Sequence, residues 1–211
     1  MDRNLNAVKN KKLRATPYHH GALREALIAA AETELVERGI EGFSLRSVAR
    51  RAGVSPAAPA HHFGDTRGLR TAVAITAFED FARALEDADD VAPRDVQGRV
   101  RAQCVAYIGF AIANSARFDL MWRIALLDSD SPKFVAAADA AFAVLQRAVG
   151  GQGFGPTDAS DRLPSPAAVA CWSMIHGFTR LALDGSFGVG IDAARAAADK
   201  LLPAVLEHLE I

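Results

Sequence analysis

Apolar residues recur at every third or fourth position through most of this chain, which is the spacing of helices that bury one face. From Gly21 to Arg38 the spacing is regular until Gly39 interrupts it, and the apolar positions are Leu23, Leu27, Ala30, Ala31 and Leu35. Alanine is abundant, and the runs of Val, Ile, Thr and Tyr that are typical of strands are missing. The pattern therefore predicts an all-α protein.

Capping residues and helix breakers divide the pattern into about nine helices. Ser44 and Ser55 stand where two short helices would begin, and Pro59 would be the fourth residue of the second one. Pro203 lies inside the last helix and is expected to kink it. The predicted helices are 21–38, 44–52, 55–63, 66–88, 95–115, 117–128, 132–149, 166–184 and 192–209, with a linker at 87–93 and a loop at 150–166.

The first three helices, with Gly53 between the second and the third, have the arrangement of a helix-turn-helix unit. Glycine adopts the left-handed backbone conformation that such a sharp turn needs. In these units the third helix lies in the major groove of DNA, and the helix before it crosses the phosphate backbone. The segment 44–63 therefore predicts a DNA-binding surface.

The distribution of charge supports this interpretation, because the two ends of the chain differ in sign. Residues 1–70 contain 12 Lys and Arg against 7 Asp and Glu, a net charge of +5, and the other 12 basic and 18 acidic residues give 71–211 a net charge of −6. A basic head on an acidic body indicates an anionic partner for the head.

Few side chains of the helix-turn-helix can form hydrogen bonds with bases. Arg46 is the strongest candidate, with Arg50 and Arg51 on the same polar face, and the alternative for all three is a solvated helix surface. His61 can bond a base edge or a phosphate, and alanine methyl groups can touch thymine methyl groups, so we expect weak reading of sequence. The predicted DNA contacts are Ser44, Arg46, Arg50, Ser55, Pro56, Ala57, Ala58, Ala60, His61, His62, Thr66 and Arg67.

This segment resembles the TetR/AcrR family of bacterial repressors, through Tyr18-His-His-Gly-Ala-Leu-Arg, residues 39–43, and Ser44–Phe63 followed by Leu69. Residues 170–181, Ala-Cys-Trp-Ser-Met-Ile-His-Gly-Phe-Thr-Arg-Leu, are similar to the Trp-xxx-His-Gly segment of a TetR subfamily with a WHG-type C-terminal domain. The resemblance implies an all-helical homodimer, with an N-terminal head that binds DNA and a body that binds a small molecule. By the same analogy, the last two helices of each subunit would form the dimer.

With this family in view, we expect four parts of the chain: a basic disordered arm at 1–17, a helix-turn-helix DNA-binding domain at 18–65, a connecting helix at 66–88, and a ligand-binding and dimerisation domain at 89–211. The expected function is that of a transcriptional regulator, a repressor released from a pseudo-palindromic operator in double-stranded DNA by a small apolar effector.

Two positions depart from the family pattern. Ala60 stands where Tyr is usual, and Thr66 stands where Lys is usual, and both usual residues contact phosphates. We expect His62 and Arg67 to replace them in part, since each lost phosphate contact weakens binding to all sequences alike. The alternative function is that of a TetR-like module that binds a small molecule or a protein and has weakened or lost DNA binding.

Aromatic residues of the body are candidates for a ligand cavity, although each of them alone is more often a core residue. His176 is first interpreted as a core histidine with a satisfied hydrogen bond, and second as a ligand contact. Gly177, beside it, is expected to allow a close helix contact. The cavity candidates are Phe78, Phe81, Tyr107, Phe110, Phe118, Trp122, Phe142, Trp172 and His176.

Other chemistry finds little support in the sequence. Cys104 and Cys171 lie among apolar residues, and we expect them to be buried thiols. The histidine pairs at 19–20 and 61–62 do not predict a metal site, because adjacent helical residues point in different directions, and no cofactor is expected. No phosphate-binding loop or nucleophile elbow indicates an enzyme. Without a signal peptide or a membrane-spanning run, the expected location is the cytoplasm.

Overall fold

The computed structural model describes residues 19–150 and 165–208, and every regular element in these ranges is a helix. The predicted all-α class is confirmed, with ten α-helices in the described ranges where about nine were predicted. The helices are α1 (His19–Gly42), α2 (Leu45–Arg51), α3 (Ala58–Phe63), α4 (Thr66–Val91), α5 (Val96–Ala113), α6 (Ser115–Met121), α7 (Pro132–Ala148), α8 (Pro166–Leu183), α9 (Ile191–Lys200) and α10 (Leu202–Glu207). The predicted arm at 1–17 and most of the predicted loop at 150–166 lie outside the described residues.

The first three helices and the start of α4 pack around one small core, which we call the head. Leu27, Leu35, Phe43, Val48 and Leu69 are almost fully buried there. Helix α1 leaves helical geometry at Gly39, whose φ is 68°, so the predicted interruption is confirmed although the element continues to Gly42. The core places α2 and α3 at one end of the molecule.

Helix α2 begins where its cap predicts. The Ser47 backbone N–H donates to Ser44 Oγ at 3.1 Å, and the Ser44 N–H donates to Ser47 Oγ at 3.2 Å. This reciprocal pair satisfies two donors that the start of a helix otherwise leaves open. The turn after α2 contains Gly53 with a φ of 68°, the left-handed conformation predicted for it.

Helix α3 begins at Ala58 rather than at Pro56, and Ser55 does not cap it, which corrects the predicted start. The cause is Pro59, which has no N–H to donate to the Ser55 carbonyl and whose ring would clash with that carbonyl in a continuous helix. The Ala58 N–H donates to the Ser55 carbonyl instead, at 3.0 Å, and closes a turn. Pro59 is thereby the second residue of α3, a position where no donor is needed.

Arg51 holds the head together, and this corrects its place among the candidate DNA contacts. Glu34 of α1 is 1% exposed, and Arg51 Nε donates to its Oε1 at 2.7 Å. Arg51 also pairs with Glu37, and Arg38 Nε lies 3.2 Å from Glu34 Oε2. The hydrogen bond from Arg51 outweighs burial and lowers the pKa of Glu34. The ion pair fixes α2 against α1.

Helix α4 connects the head to the remaining helices, which we call the body. Asp65 Oδ1 caps its start by accepting from the Gly68 N–H at 2.8 Å. The helix ends at Val91, beyond the predicted limit of 88, so most of the predicted linker is helical. The Asp89 carboxylate explains the extension, because it accepts from Arg99 at 2.6 and 2.9 Å and from Gln103 at 2.7 Å, and so ties the last turns of α4 to α5.

Two other predicted helices are shorter than expected. The helix predicted at 117–128 ends at Met121, after which the chain passes through a short 3-10 turn (Ile124–Leu126) and buries Leu127 in the core. The helix predicted at 192–209 divides at Leu201 into α9 and α10. Pro203 is the cause, because it has no N–H for the carbonyl one turn earlier, and the expected kink is a complete break.

Replacing Gly53 with Ala should destabilise the head, because the left-handed conformation costs a residue with a Cβ about 1–2 kcal/mol. The cost is conformational, since no heavy atom lies within 4 Å of an added Cβ. Gly109→Ala in α5 is the control, since its Cβ would also meet no atom within 4 Å and the change should stabilise a helix by up to about 1 kcal/mol. Urea unfolding measures both, and equal effects would contradict the role given to Gly53.

The ion pair between Glu34 and Arg51 should make stability depend on pH. The pKa of Glu34 lies below 4.5 in the folded protein, so its contribution is fully present above pH 4.5 and is lost as the pH falls through the folded value. The difference in free energy of unfolding between the wild type and Glu34→Gln should therefore shrink on going from about pH 7 to about pH 3. In an Arg51→Gln background the same difference should be smaller and flatter. An unchanged pH profile in that background would contradict the pairing.

Candidate DNA-binding surface and ligand cavity

Most of the predicted DNA contacts lie at the surface of the head. The exposed members of the set are Ser44, Arg46, Arg50, Ser55, Pro56, Ala57, Ala60, His61 and Arg67, and Ala58, His62 and Thr66 are half-buried. Pro59, which was not among the predicted contacts, is buried against the core. The alanine-rich segment around α3 is therefore accessible to a partner.

Arg46 and Arg50 carry the available positive charge of α2. They are four residues apart on one helix, so they share a face. Within the described part of the chain neither arginine forms an ion pair, whereas Arg51 is held by Glu34 and Glu37. A phosphate would meet two unpaired guanidinium groups on this face.

The two residues expected to replace the usual phosphate contacts, Arg67 and His62, already make other contacts. Arg67 Nε donates to the Leu127 carbonyl in the body at 2.8 Å. The His62 ring lies 5.6 Å from the ring of His61 and 6.1 Å from that of Phe63. The prediction that Arg67 and His62 replace the usual phosphate contacts remains a prediction, and at Arg67 such a contact would compete with a hydrogen bond to the body.

A cavity of about 230 Å³ lies in the body, among α4, α5, α7 and α8. Six of the nine cavity candidates line it: Phe78, Phe81, Tyr107, Trp122, Phe142 and Trp172. Edge-to-face contacts order these rings, with centroids 4.8 Å apart for Phe81 and Tyr107 and 5.2 Å apart for Phe142 and Trp172. The wall is therefore largely aromatic.

The other three candidates stand behind this wall, which corrects their predicted place in the lining. Phe118 is fully buried, with its ring 5.8 Å from that of Tyr107. Phe110 packs on Phe81 with a centroid distance of 5.1 Å. His176 Nδ1 lies 2.7 Å from the Tyr107 hydroxyl oxygen, which agrees with the first interpretation of it as a core histidine. These side chains hold the lining residues in position.

Seven residues of the lining were not among the predicted cavity candidates: Leu85, Gln103, Cys104, Ala138, Asp139, Ala141 and Leu145. Six of them are ordinary residues of helices, and only the packing of the helices shows which way they face. Asp139 did carry a signal, because it is the one charged residue in the apolar run from 135 to 145. A charged residue inside an apolar stripe of a helix indicates either that its side chain is exposed to solvent or that it belongs to a binding site.

Burial keeps most ionisable groups around the cavity neutral. Burial raises the pKa of Tyr107, and it raises the pKa of the Cys104 thiol to about 12, so both groups stay protonated at neutral pH. Burial, and then Arg180, lower the pKa of His176, so its imidazole is neutral and Nδ1 can accept from the Tyr107 hydroxyl. Among the described residues, Asp139 is the one lining side chain with a formal charge.

Two polar atoms of the wall lack a hydrogen-bond partner among the residues that the structure describes. They are the acceptor Gln103 Oε1 and the donor Trp122 Nε1. Gln103 is 2% exposed, and its amide nitrogen donates to Asp89 at 2.7 Å. Buried polar atoms are usually hydrogen-bonded, which sets these two side chains of the lining apart.

A second apolar surface runs along the outside of α8 and α10, and we call it the outer face. Leu181 is 49% exposed, Phe187 is 40% exposed and Leu201 is 44% exposed. Among the described residues, a Cβ added at Gly177 would meet no atom within 4 Å, so the close helix contact expected there is not made with any of them. The residues of the groove on this face are Met174, Phe178, Leu181, Phe187, Leu201, Ala204, Val205 and His208.

The described ranges contain neither a membrane-spanning helix nor a metal-binding cluster. None of the described helices has the length and apolar character needed to cross a bilayer. Nor do three or more His, Cys, Asp or Glu side chains meet in these ranges in a way that could hold a metal ion.

Two family models match the chain. Residues 27–73 match the model for bacterial regulatory proteins of the tetR family, and this range contains α2, the Gly53 turn and α3. Residues 100–205 match the model for the tetracyclin repressor-like C-terminal domain, which includes the segment from Trp172 to Gly177. The two matches follow one another along the chain as head and body do.

Solved structures and curated relatives are similar over most of the chain. A protein of unknown function from Rhodococcus sp. RHA1 is 34% identical and has a TM-score of 0.68, with 93% of this chain and 100% of that chain covered. PfmR, a TetR family transcriptional regulator from Thermus thermophilus, has the same fold, with 23% identity and a TM-score of 0.60 over 88% of this chain and 99% of that chain. An uncharacterised HTH-type transcriptional regulator of Mycobacterium tuberculosis is 26% identical over 162 residues, which are 77% of this chain and 71% of the relative.

The accessible helix-turn-helix, the helical body and the two matching family models lead to one assignment. This chain belongs to the TetR family of bacterial transcriptional regulators, with its DNA-binding domain at the N-terminal end.

Proposed function

We propose that this protein is a repressor that binds a pseudo-palindromic operator as a homodimer and leaves it when a small, mainly apolar molecule fills the body cavity. The observation that carries the proposal is the position of α4. Its first turns pack in the head, where Leu69 is fully buried, and its middle turns supply Phe78 and Phe81 to the cavity. A ligand that moves this wall also moves the support of α2 and α3.

DNA contact would rest on Arg46 and Arg50 together with the backbone around α3. The two guanidinium groups are exposed and unpaired within the described residues, and the small side chains Ala57 and Ala60 would let the backbone approach the groove. Phosphate contacts position a protein on DNA without reading its sequence. Base readout would then fall mainly to Arg46 and His61, which supports modest sequence specificity.

Further contacts couple the cavity to the head through α6. Arg117 of α6 pairs with Asp80 of α4 at 2.6 Å and with Glu32 of α1 at 3.2 Å. Trp122 follows α6 directly and lines the cavity. A ligand that displaces Trp122 therefore acts on a helix that is bound by charge to both supports of the head.

The start of α4 is also bonded to the segment after α6. The Asp128 N–H donates to Thr71 Oγ1 at 2.8 Å, and Arg67 Nε donates to the Leu127 carbonyl at 2.8 Å. Release requires that the effector bind one arrangement of these elements better than the other. A hundredfold preference corresponds to about 2.7 kcal/mol of coupling between effector and DNA.

The outer face supports the proposed dimer. A row of exposed apolar side chains on α8 and α10 would lose contact with water in a two-fold interface, and Gly177 would allow the partner helix to approach. Two copies of α8 and the helix after it would form the four-helix interface expected from the family. The two heads would then meet successive major grooves on one side of the duplex.

Gel shifts with the DNA upstream of the gene for this protein, over a series of salt concentrations, test the DNA contacts. We expect Arg46→Ala and Arg50→Ala each to weaken binding and to reduce the slope of log affinity against log salt by about one, because each removes one phosphate contact. Arg94→Ala, an equal loss of charge at an exposed site before α5, is the control and should leave both quantities unchanged. An absence of any shift even at low salt would contradict the proposal and favour a module that has lost DNA binding.

Leu181→Glu should convert the dimer to a monomer, because it places a charge in the apolar centre of the outer face. Val91→Glu is the matched control, since Val91 is 85% exposed and lies at the end of α4, away from that face. Sedimentation velocity measures the mass in solution. A wild-type monomer would contradict the proposed dimer, and a Leu181→Glu variant that stays dimeric would place the interface elsewhere.

A further inference from the structure

We propose that the effector is a small protonated amine with an aromatic or aliphatic body, and that the Asp139 carboxylate is its counter-ion. This inference rests on the proposed ligand-responsive function and specifies the chemistry of the molecule that the cavity takes. It is carried by the charge, the unsatisfied polar atoms and the aromatic lining of the cavity.

The cavity carries one negative charge without a neutralising partner. Asp139 lines it, and no lysine or arginine is among the described residues of the lining. The arginines of neighbouring elements are already paired with other carboxylates: Arg99 with Asp89, Arg147 with Glu86, and Arg180 with Asp119 and Asp184. A carboxylate next to an apolar cavity is stabilised most by a cation that brings its own charge.

The remaining ionisable groups of the wall add no charge of either sign. The Cys104 thiol and the Tyr107 hydroxyl stay protonated, and the Tyr107 hydroxyl is bonded to the neutral His176. An anionic ligand would meet Asp139 and find no cation to offset the repulsion. A neutral apolar ligand would desolvate Asp139 and leave its charge uncompensated.

The unsatisfied polar atoms indicate where an ammonium group can donate. Gln103 Oε1 is a buried acceptor without a described partner, and its orientation is fixed because the amide nitrogen of the same side chain donates to Asp89 at 2.7 Å. Gln103 and Asp139 both line the cavity, so an N–H of a protonated amine can donate to Asp139, and also to Gln103 Oε1 if it reaches that buried atom. The Trp122 Nε1–H offers one donor to an acceptor elsewhere on the ligand.

The rest of the lining suits both the cation and its apolar body. Aromatic ring faces attract ammonium groups, and the rings of Trp122 and Trp172 lie 5.8 Å apart on the lining. The volume of about 230 Å³ is below the roughly 300–1,000 Å³ of drug-sized sites, which limits the ligand to about one aromatic ring and a short chain.

Tryptophan fluorescence can report binding, because the chain has two tryptophans, Trp122 and Trp172, and both line the cavity. The purified full chain is titrated with phenethylamine, phenethyl alcohol and phenylacetate, which share a skeleton and carry a cationic, a neutral and an anionic head group. We expect the amine to bind about tenfold more tightly than the alcohol, and the acid to bind most weakly.

Asp139→Asn keeps the shape of the side chain and removes its charge. We expect it to weaken amine binding about tenfold and to leave alcohol binding within about twofold. Asp87→Asn, at an exposed position of α4, makes the same change of charge outside the cavity and should leave all three affinities unchanged. Circular dichroism of both variants verifies that they are folded.

Each result bears on the proposal. Tighter amine binding that Asp139→Asn abolishes and Asp87→Asn preserves supports it. Equal binding of amine and alcohol, preference for the acid, or an amine preference that survives Asp139→Asn overturns it and leaves a ligand-responsive repressor standing. Failure of all three compounds to bind overturns it as well. The proposed regulatory function is tested separately by the gel shift, where it fails if the wild-type protein does not shift DNA.

Discussion

Helix α4 packs along one continuous hydrophobic core that runs from the head into the body. Leu69 supports α2 and α3, and Phe78 and Phe81 belong to the wall of the body cavity, about two and a half and about three and a third turns further along the same helix. Protein interiors are close-packed, so a side chain at one end cannot move without a response from its neighbours. The proposed function depends on that helix, because together with the ion pairs of α6 it connects a cavity and a surface that do not touch.

A few polar contacts fix the position of α2 in the head. The Ser44–Ser47 capping pair, the left-handed Gly53 and the ion pair between Glu34 and Arg51 all act on the position of α2 and of the turn that follows it. Of the three arginines on α2, Arg51 forms this ion pair, and Arg46 and Arg50 are exposed to solvent. This arrangement leaves two arginines of α2 for phosphate contacts in the proposed complex with DNA.

Local signals in the sequence predicted the parts of the fold that local physics decides. Ser44 and Gly53 have the roles that capping and turn chemistry predict, because these roles depend on the residue and its immediate neighbours. The start of α3 and the end of α4 were predicted wrongly for opposite reasons. At α3 the effect of Pro59 on the preceding turn was underestimated, and at α4 a polar, acidic segment is kept helical by Arg99, a residue of another helix that pattern alone cannot place beside Asp89.

The candidate site residues also divide into those whose place follows from local sequence and those whose place depends on how the helices pack. Exposure of Arg46, Arg50 and Ala60 followed from helical periodicity, whereas the capture of Arg51 by two glutamates of α1 depends on how two helices pack. Six of nine aromatic candidates line the cavity, but nothing in their spacing separates Phe81, which lines it, from Phe110, which packs behind Phe81. Which side of a buried ring faces empty space is a property of the whole bundle.

The small cavity and the weakly polar head fit one another energetically in the proposed repressor. An effector can shift the equilibrium between DNA-bound and free forms only by its difference in affinity for the two arrangements, and a ligand that fits about 230 Å³ has few atoms with which to create that difference. If Ala60 and Thr66 replace residues that contact phosphates, as the family resemblance implies, the head would bind DNA with less free energy, and a smaller coupling would release it. A charged group on the effector adds the most binding energy per atom, and Asp139 stands on α7, the helix that packs along α4. The charge of a single ligand would thus act next to the helix that extends from the cavity into the head.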